Sequence, residues 1–244
     1  MIMADEESKF KTPKDLALSD YAHSLLRGVI GAIPVGGTLV NELLGFLVQP
    51  ALKKRQEHWF SFIGHSLEDV LNRIDILEEI TSNDNFINVA IKATRIALET
   101  TKFEKINALK NVVINTAIKI NLDETKQHVF MALLDSFNEY HIVFLKLLNG
   151  KNAPNKNISF SNSDGSWLVN PNFYHLIMQL YPELNQSEEF CRLIMHDLYY
   201  KDLINTKDLN FPLMNLPSNP FAVGQRTTEI GNKFLNFISD PSFK

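Results

Sequence analysis

The feature that most constrains the fold is a set of apolar residues that recur at three- and four-residue steps. Between Leu52 and Leu77 these positions are Trp59, Ile63, Leu67, Val70, Leu71, Ile74 and Leu77, with charged residues between them. This spacing places apolar side chains on one face of a helix, whereas a half-buried strand alternates them every second residue. Similar spacing returns from Asn83, from Phe103, after Asn121 and before Gly150. The sequence therefore predicts a mainly α protein.

Polar residues mark where several of these helices begin. Asn83 precedes the second amphipathic segment, and Ser136 with Glu139 has the spacing of a capping box ahead of HIVFLKLLNG. Near the end of the chain, Thr227 or Thr228 stands before a last apolar-periodic segment. We expect the second amphipathic helix to begin near Asn83 to Asn85, Ser136 and Thr227 or Thr228 to cap their helices, and the helix of HIVFLKLLNG to end on Gly150.

An uncharged run, GVIGAIPVGGTLVN at residues 28–41, interrupts this regular pattern. A membrane-spanning helix needs about 20 apolar residues, and Pro34 and the Gly-Gly pair break the run before that length. We predict a tight helical hairpin over residues 25–52, in which Thr38 caps the return helix. Pro50 should kink or break that helix.

Two interpretations of this hairpin stay open. In the first, it inserts into or lies on a bilayer, with the basic cluster that follows it facing anionic head groups. In the second, it is a core hairpin whose glycines let two helices approach closely and whose Glu42 is paired internally. The membrane hypothesis depends on Gly28, Gly31, Pro34, Gly36, Gly37, Lys53, Lys54 and Arg55.

The second half of the chain has a different organisation. The Asn/Ser/Lys-rich segment from Lys151 to Asn170 indicates a long loop. From His141 onward the order is helix, loop, two helices, a Pro-rich stretch over Phe211–Gln225 that can form a turn or a two-stranded wing, and a last helix. This is the order of a winged-helix module. We predict a multi-helix bundle domain at 1–137, with the Gly/Pro hairpin at 25–52 and amphipathic helices at 52–135, and a winged-helix-like module at 138–244.

Charge argues against nucleic-acid binding. The chain has 24 Lys and Arg against 28 Asp and Glu, a formal net charge of -4, so it has no general attraction for phosphate backbones. The helix that would read DNA in a winged-helix module carries four acidic residues against Arg192 and Lys201. A reading helix needs basic and amide side chains toward phosphates and base edges.

The residues that could carry catalysis do not form a recognisable site. His58 and His65 are seven residues apart on one predicted helix, about 10 Å in rise, which is too far to share a metal ion. Cys191 and His196 point to different helix faces at a spacing of five, and Cys191 stands among apolar residues that predict a buried side chain. We predict no catalytic, cofactor-binding or metal-binding residues; an unrecognised hydrolase is the remaining enzymatic hypothesis.

The single cysteine excludes an internal disulfide and is typical of a reducing compartment, so we predict a cytoplasmic protein. Aromatic residues dominate the energetics of protein interfaces. We therefore take Trp167, Tyr199 and Tyr200 as candidate partner-binding residues, the alternative being that all three lie in the core.

Several stretches resemble the abortive-infection alpha-type proteins of bacterial phage defence. IGAIPVGGTLVNELLG, followed by QPALKKRQEHW, is similar to their small-residue hairpin and basic helix. ALETTKFEKINALKNVVINTA and FMALLDSFNEYHIVFLKLL are similar to their central helices, and RTTEIGNKFLNFI to the closing strand and helix of bacterial helical-plus-wing proteins. The resemblance implies a role in stopping phage propagation, by membrane damage or by binding a phage or host component, and it offers no catalytic motif.

Our leading functional expectation is a non-enzymatic defence protein that acts through a protein partner or self-association, with a hairpin that associates with anionic membrane on activation. The alternative is a winged-helix regulatory or scaffolding protein that binds a protein partner and has no membrane activity.

Overall fold

The computed structural model describes residues 39–71, 83–118, 122–150, 170–185, 187–216 and 219–241. Over these ranges the protein is mainly α, as predicted, with eight α-helices. The helices are α1 Leu39–Leu71, α2 Asp84–Glu99, α3 Phe103–Ala117, α4 Glu124–Ser136, α5 Glu139–Leu148, α6 Phe173–Leu180, α7 Glu188–Tyr200 and α8 Glu229–Ile238. A 3-10 turn at Pro182–Leu184 follows α6, and two short strands, β1 Met214–Leu216 and β2 Asn219–Ala222, pair antiparallel before α8.

The chain divides into two compact units. The first takes Met1–Thr101 and Val112–Glu124, and the second takes Lys102–Asn111 and Thr125–Lys244. Helix α3 contributes to both, because its residues up to Asn111 belong to the second unit and the rest to the first. The boundary at 137/138 between two domains stays a prediction.

In the first unit, α1 packs against α2 through the apolar stripe predicted from the sequence. Trp59, Ile63 and Leu67 are buried on α1, and the Trp59 indole Nε1 donates a hydrogen bond to Thr94 Oγ1 at 3.1 Å. Helix α2 begins after Asn83, whose side chain accepts from the Phe86 backbone N–H, so the predicted start of this helix is confirmed. The stripe and the indole bond together fix how α1 and α2 face each other.

Helix α1 continues through Pro50, so the predicted break at that residue is wrong. Proline removes one backbone hydrogen bond and crowds the preceding turn, which a long helix can accommodate by bending. A kink at Pro50 stays a prediction, as does the hairpin itself, since residues 25–38 lie outside the described ranges.

The start of α5 differs from the predicted capping box. Ser136 still belongs to α4, and its Oγ donates to Leu133 O instead of capping the next helix. The cap is Asn138, whose side chain accepts from the Tyr140 and His141 N–H groups. The His141 ring completes the box by accepting from the Asn138 N–H. Because α4 extends through Ser136, this residue cannot also serve as the N-cap of α5.

The other two predicted helix signals are confirmed. Helix α5 ends just before Gly150, which has a left-handed φ of 72° and donates its N–H to Leu147 O. Thr228 caps α8 by accepting from the Gly231 N–H. At both positions the short-range chemistry of the residue type decides where the helix stops or starts.

The second unit is built around α5, which is buried over most of its length. It packs against α7 on one side and α8 on another. Six fully buried aromatic rings fill the interior between α4, α5, α6 and α8, namely Phe130, Phe137, Phe144, Phe173, Phe234 and Phe237. This core holds α7 in place and leaves one of its faces to solvent.

Candidate partner-binding surface

Helix α7 is apolar on two faces, and only one of them is buried. The inner face consists of Cys191, Ile194, Met195 and Leu198, all shielded from solvent against the unit core. A second group of apolar side chains lies on the opposite side of the helix, as the repeat of 3.6 residues per turn requires. The helix therefore has exposed apolar side chains that do not take part in the core.

We call this second set the outer face of α7: Leu193, His196 and Tyr200 lie opposite the inner face, and Phe190 and Tyr199 flank them on either side. Leu193 is 63% exposed and Tyr200 is 72% exposed. Tyr200 makes edge-on ring contacts with Tyr199 at 5.6 Å and with His196 at 6.3 Å between centroids. These ring contacts restrict the exposed aromatic side chains before binding, so little conformational entropy is lost when a partner binds.

Two of the three predicted partner-binding residues thus lie at the surface rather than in the core. Tyr199 and Tyr200 are on the outer face, and Trp167 lies outside the described ranges. Leu193 is not among the predicted residues, because it stands in the same apolar run of sequence as Cys191. The signal was present in the spacing, because Leu193 and Tyr200 differ by two helical turns and Cys191 does not share that face.

An aromatic wall continues from the outer face onto neighbouring elements. The Phe190 ring meets Tyr140 edge-on at 6.0 Å, and Tyr140 meets Tyr181 at 6.1 Å. The Tyr140 hydroxyl donates to Glu183 Oε1 at 3.1 Å. Burial and this carboxylate raise the pKa of Tyr140 to about 12, so the phenol stays protonated and the hydrogen bond is kept at physiological pH.

The side of α7 that faces α5 holds a charged junction. His141 Nε2 lies 3.1 Å from Asp197 Oδ2, and Lys201 pairs with the other oxygen of the same carboxylate. His141 Nδ1 lies 3.3 Å from the Asn138 backbone N and 2.8 Å from Asn138 Oδ1, so Asn138 and the Asp197 carboxylate hold the ring from both sides. Burial lowers the pKa of His141 below its usual value of 6.5, against the opposing effect of Asp197. The junction therefore contains a neutral histidine at pH 7.

Because of this depressed pKa, folding stability should fall on mild acidification. An unfolded chain protonates this histidine near pH 6.5, while the folded ring stays neutral to lower pH. The unfolded state then binds more protons, so stability is complete above pH 6.5 and is lost as pH falls toward the folded pKa. We expect urea unfolding at pH 7.5, 6.5 and 5.5 to show a decline that is smaller in His141→Gln.

The comparison of slopes is the decisive measurement, since the other six histidines are present in both proteins. A difference in free energy of unfolding between wild type and His141→Gln that stays constant from pH 7.5 to 5.5 would contradict this account. His196→Gln, which leaves the ring at position 141 in place, is the matched control on α7.

Cys191 lies on the inner face and is fully buried, as predicted. Burial raises the pKa of its thiol to about 11, so the reactive thiolate is scarce at pH 8. We expect a thiol reagent such as dithionitrobenzoate to leave the native protein unmodified at pH 8 and to label one equivalent in guanidinium chloride. Rapid labelling of the native protein would show that the inner face is open.

The residues of the membrane hypothesis are only partly described. Lys53 and Lys54 are exposed on α1, while the Arg55 guanidinium donates to Leu98 O at 3.1 Å and so supports the packing of α1 on α2. Gly28, Gly31, Pro34, Gly36 and Gly37 lie outside the described ranges. Among the helices that the structure describes, none combines the length and the apolarity needed to cross a bilayer.

His58 and His65 are both exposed on α1. His65 Nδ1 lies 2.7 Å from Ser61 O, within its own helix. In the described part of the chain, no group of three His, Cys, Asp or Glu side chains is placed to hold a metal ion. Of the features described above, the outer face of α7 is the candidate interaction surface.

Comparison with known proteins gives no match, whether to a protein-family model, to a curated protein or to a solved structure.

Proposed function

We propose that this chain is a non-enzymatic bacterial phage-defence protein of the abortive-infection alpha type, which acts by binding a protein partner of phage or host origin. The observation that carries the proposal is the exposure of Leu193 and Tyr200 on the outer face of α7. Large apolar side chains on a helix surface are typical of interaction sites. The defence role itself draws on the sequence resemblance.

The winged-helix-like arrangement of residues 138–244 is part of this proposal. Its support is the order α5, α6, α7, strand pair and α8, together with an isolated bridge that pairs Asn172, just before α6, with Pro212, just before β1. In such an arrangement α7 has the place of the reading helix. With Leu193 and Tyr200 on its open side, we propose that it recognises protein rather than DNA.

A phage-plating assay tests the function. The protein, expressed from a plasmid in a bacterial host, should lower the plating efficiency of at least one phage in a diverse panel by tenfold or more. The double variant Leu193→Ser/Tyr200→Ser should restore plating, whereas Val129→Ser, which alters another exposed apolar side chain, on α4, should not. Unreduced plating across the whole panel, or protection that the double variant retains, counts against the proposal.

Membrane association on activation is the second component, and it separates this proposal from that of a scaffolding protein without membrane activity. Purified protein should co-sediment with anionic liposomes and release an entrapped dye, and Gly31→Glu should abolish the release. Lys53→Gln/Lys54→Gln should weaken sedimentation while Lys207→Gln does not; Arg55 is left intact because of its bond to α2. Absence of lipid binding would favour the scaffolding alternative. A nuclease and nucleotide-hydrolysis screen tests the remaining hydrolase hypothesis.

A further inference from the structure

The outer face of α7 lies between two acidic side chains. Glu189 stands one helical turn before Leu193, and Asp202 follows the end of the helix just past Tyr200. Tyr200 is eleven residues beyond Glu189, which is about 16 Å at the rise of an α-helix. The exposed apolar stripe from Leu193 to Tyr200 therefore spans two helical turns, with one carboxylate a turn before it and another just past it.

The basic residues of α7 do not offset these two carboxylates. Arg192 is paired with Glu188 at 2.5 Å, and Lys201 is paired with Asp197. Among the described residues, neither Glu189 nor Asp202 has a side-chain partner. The outer face thus combines an apolar centre with a net negative rim, which repels both phosphate backbones and anionic lipid head groups.

We propose that the outer face of α7 binds a basic amphipathic helix of a partner protein. This inference rests on the proposed function, since it names the class of partner that the same surface takes. An apolar stripe of two turns receives partner residues at i, i+3 or i+4, and i+7, the usual mode of helix-to-surface recognition. Lysine or arginine residues beside that stripe then meet Glu189 and Asp202.

The aromatic wall gives this surface a fixed shape on one side. Phe190 and Tyr140 meet edge-on, and Glu183 holds the Tyr140 hydroxyl. A partner helix lying along Leu193 and Tyr200 would rest against Phe190, so that its apolar residues contact rings that are already ordered. Charge then decides which amphipathic helices bind, because acidic ones face two like charges.

The direct test uses two synthetic 18-residue peptides with the same leucine positions, one with lysine and one with glutamate on the polar face. Fluorescence anisotropy with the full chain should show binding of the lysine peptide at least tenfold tighter than that of the glutamate peptide. Raising the salt from 50 to 300 mM should narrow this ratio, because exposed charges are screened. Equal affinity of the two peptides would overturn the proposal.

Three variants tie the binding to this surface. Leu193→Ser/Tyr200→Ser should weaken the lysine peptide tenfold or more, and Glu189→Lys should weaken it while improving the glutamate peptide. Val129→Ser should bind as wild type does. Unreactive Cys191 in each native variant shows that α7 is still packed. Unchanged affinity in the packed Leu193→Ser/Tyr200→Ser variant would refute the assigned surface.

The two proposals can fail separately. Peptide binding with the expected variant pattern, but without any effect on phage plating, leaves the surface assignment standing and removes the defence role. Protection from phage that requires Leu193 and Tyr200, in a protein that does not prefer the lysine peptide, keeps the function and rejects the basic helix as its partner.

Discussion

Replacing Gly231 with alanine should lower the free energy of unfolding by about 3 kcal/mol, at the upper end of what overpacking usually causes. A Cβ at this position would lie 2.0 Å from the backbone oxygen of Leu203. That oxygen accepts the Thr228 N–H at 3.1 Å, and the adjacent Ile204 bridges to Thr227. The oxygen therefore cannot move aside without disturbing the cap of α8.

A second helical glycine supplies the control. Gly64 lies in α1, and a Cβ built there meets no heavy atom within 4 Å. Gly64→Ala should stabilise the protein by about 0.5–1 kcal/mol, because alanine favours the helix over glycine. Urea unfolding of both variants makes the comparison, and a Gly231→Ala protein as stable as wild type would show that α8 is not seated against Leu203.

The sequence predicted the helices that short-range chemistry specifies. Apolar spacing identified the buried stripe of α1 through Trp59 and Ile63, and residue type narrowed the cap of α8 to Thr227 or Thr228 and predicted the stop at Gly150. These signals succeed because a capping side chain and a left-handed glycine act within a few residues of their own position. Tertiary contacts have little influence on where these helices begin and end.

The same reasoning failed where two local patterns competed. Ser136 and Glu139 have capping-box spacing, yet Asn138 takes the cap, because α4 extends through Ser136 and leaves a short turn. Sequence spacing does not reveal where the preceding helix ends. Of the kink or break predicted at Pro50, the break is wrong, because α1 is long enough on both sides to continue through it.

The candidate surface was only partly predictable. Helix α7 carries apolar residues on two faces, and periodicity cannot say which of them meets the core. In the structure Cys191 and Ile194 are buried, whereas Leu193 and Tyr200 are exposed. The packing of α7 on α5 determines which face is buried. Arg192 and Lys201 are both paired, so they do not neutralise Glu189 and Asp202. These two carboxylates are therefore the net charge beside the exposed stripe.

Truncating Phe234 to alanine should cost about 3–5 kcal/mol, the usual range for a large aromatic in a core. Phe234 is fully buried on α8. Its ring meets Phe130 edge-on at 5.3 Å and Phe137 edge-on at 5.8 Å between centroids. The substitution removes both contacts and leaves a cavity where α8 meets the end of α4, so urea unfolding should shift to a markedly lower midpoint.

Phe103→Ala is the matched control, because Phe103 is 67% exposed at the start of α3 and should change stability by less than about 0.5 kcal/mol. The loss at Phe234 should also reach α7, since Phe137 stacks on His141 at 4.8 Å between centroids and His141 binds Asp197. In Phe234→Ala, the Cys191 thiol should then become reactive at a lower urea concentration than in wild type. A Phe234→Ala protein that loses stability but protects Cys191 as wild type does would mean that α8 loosens without releasing α7, and that the outer face does not depend on the C-terminal helix.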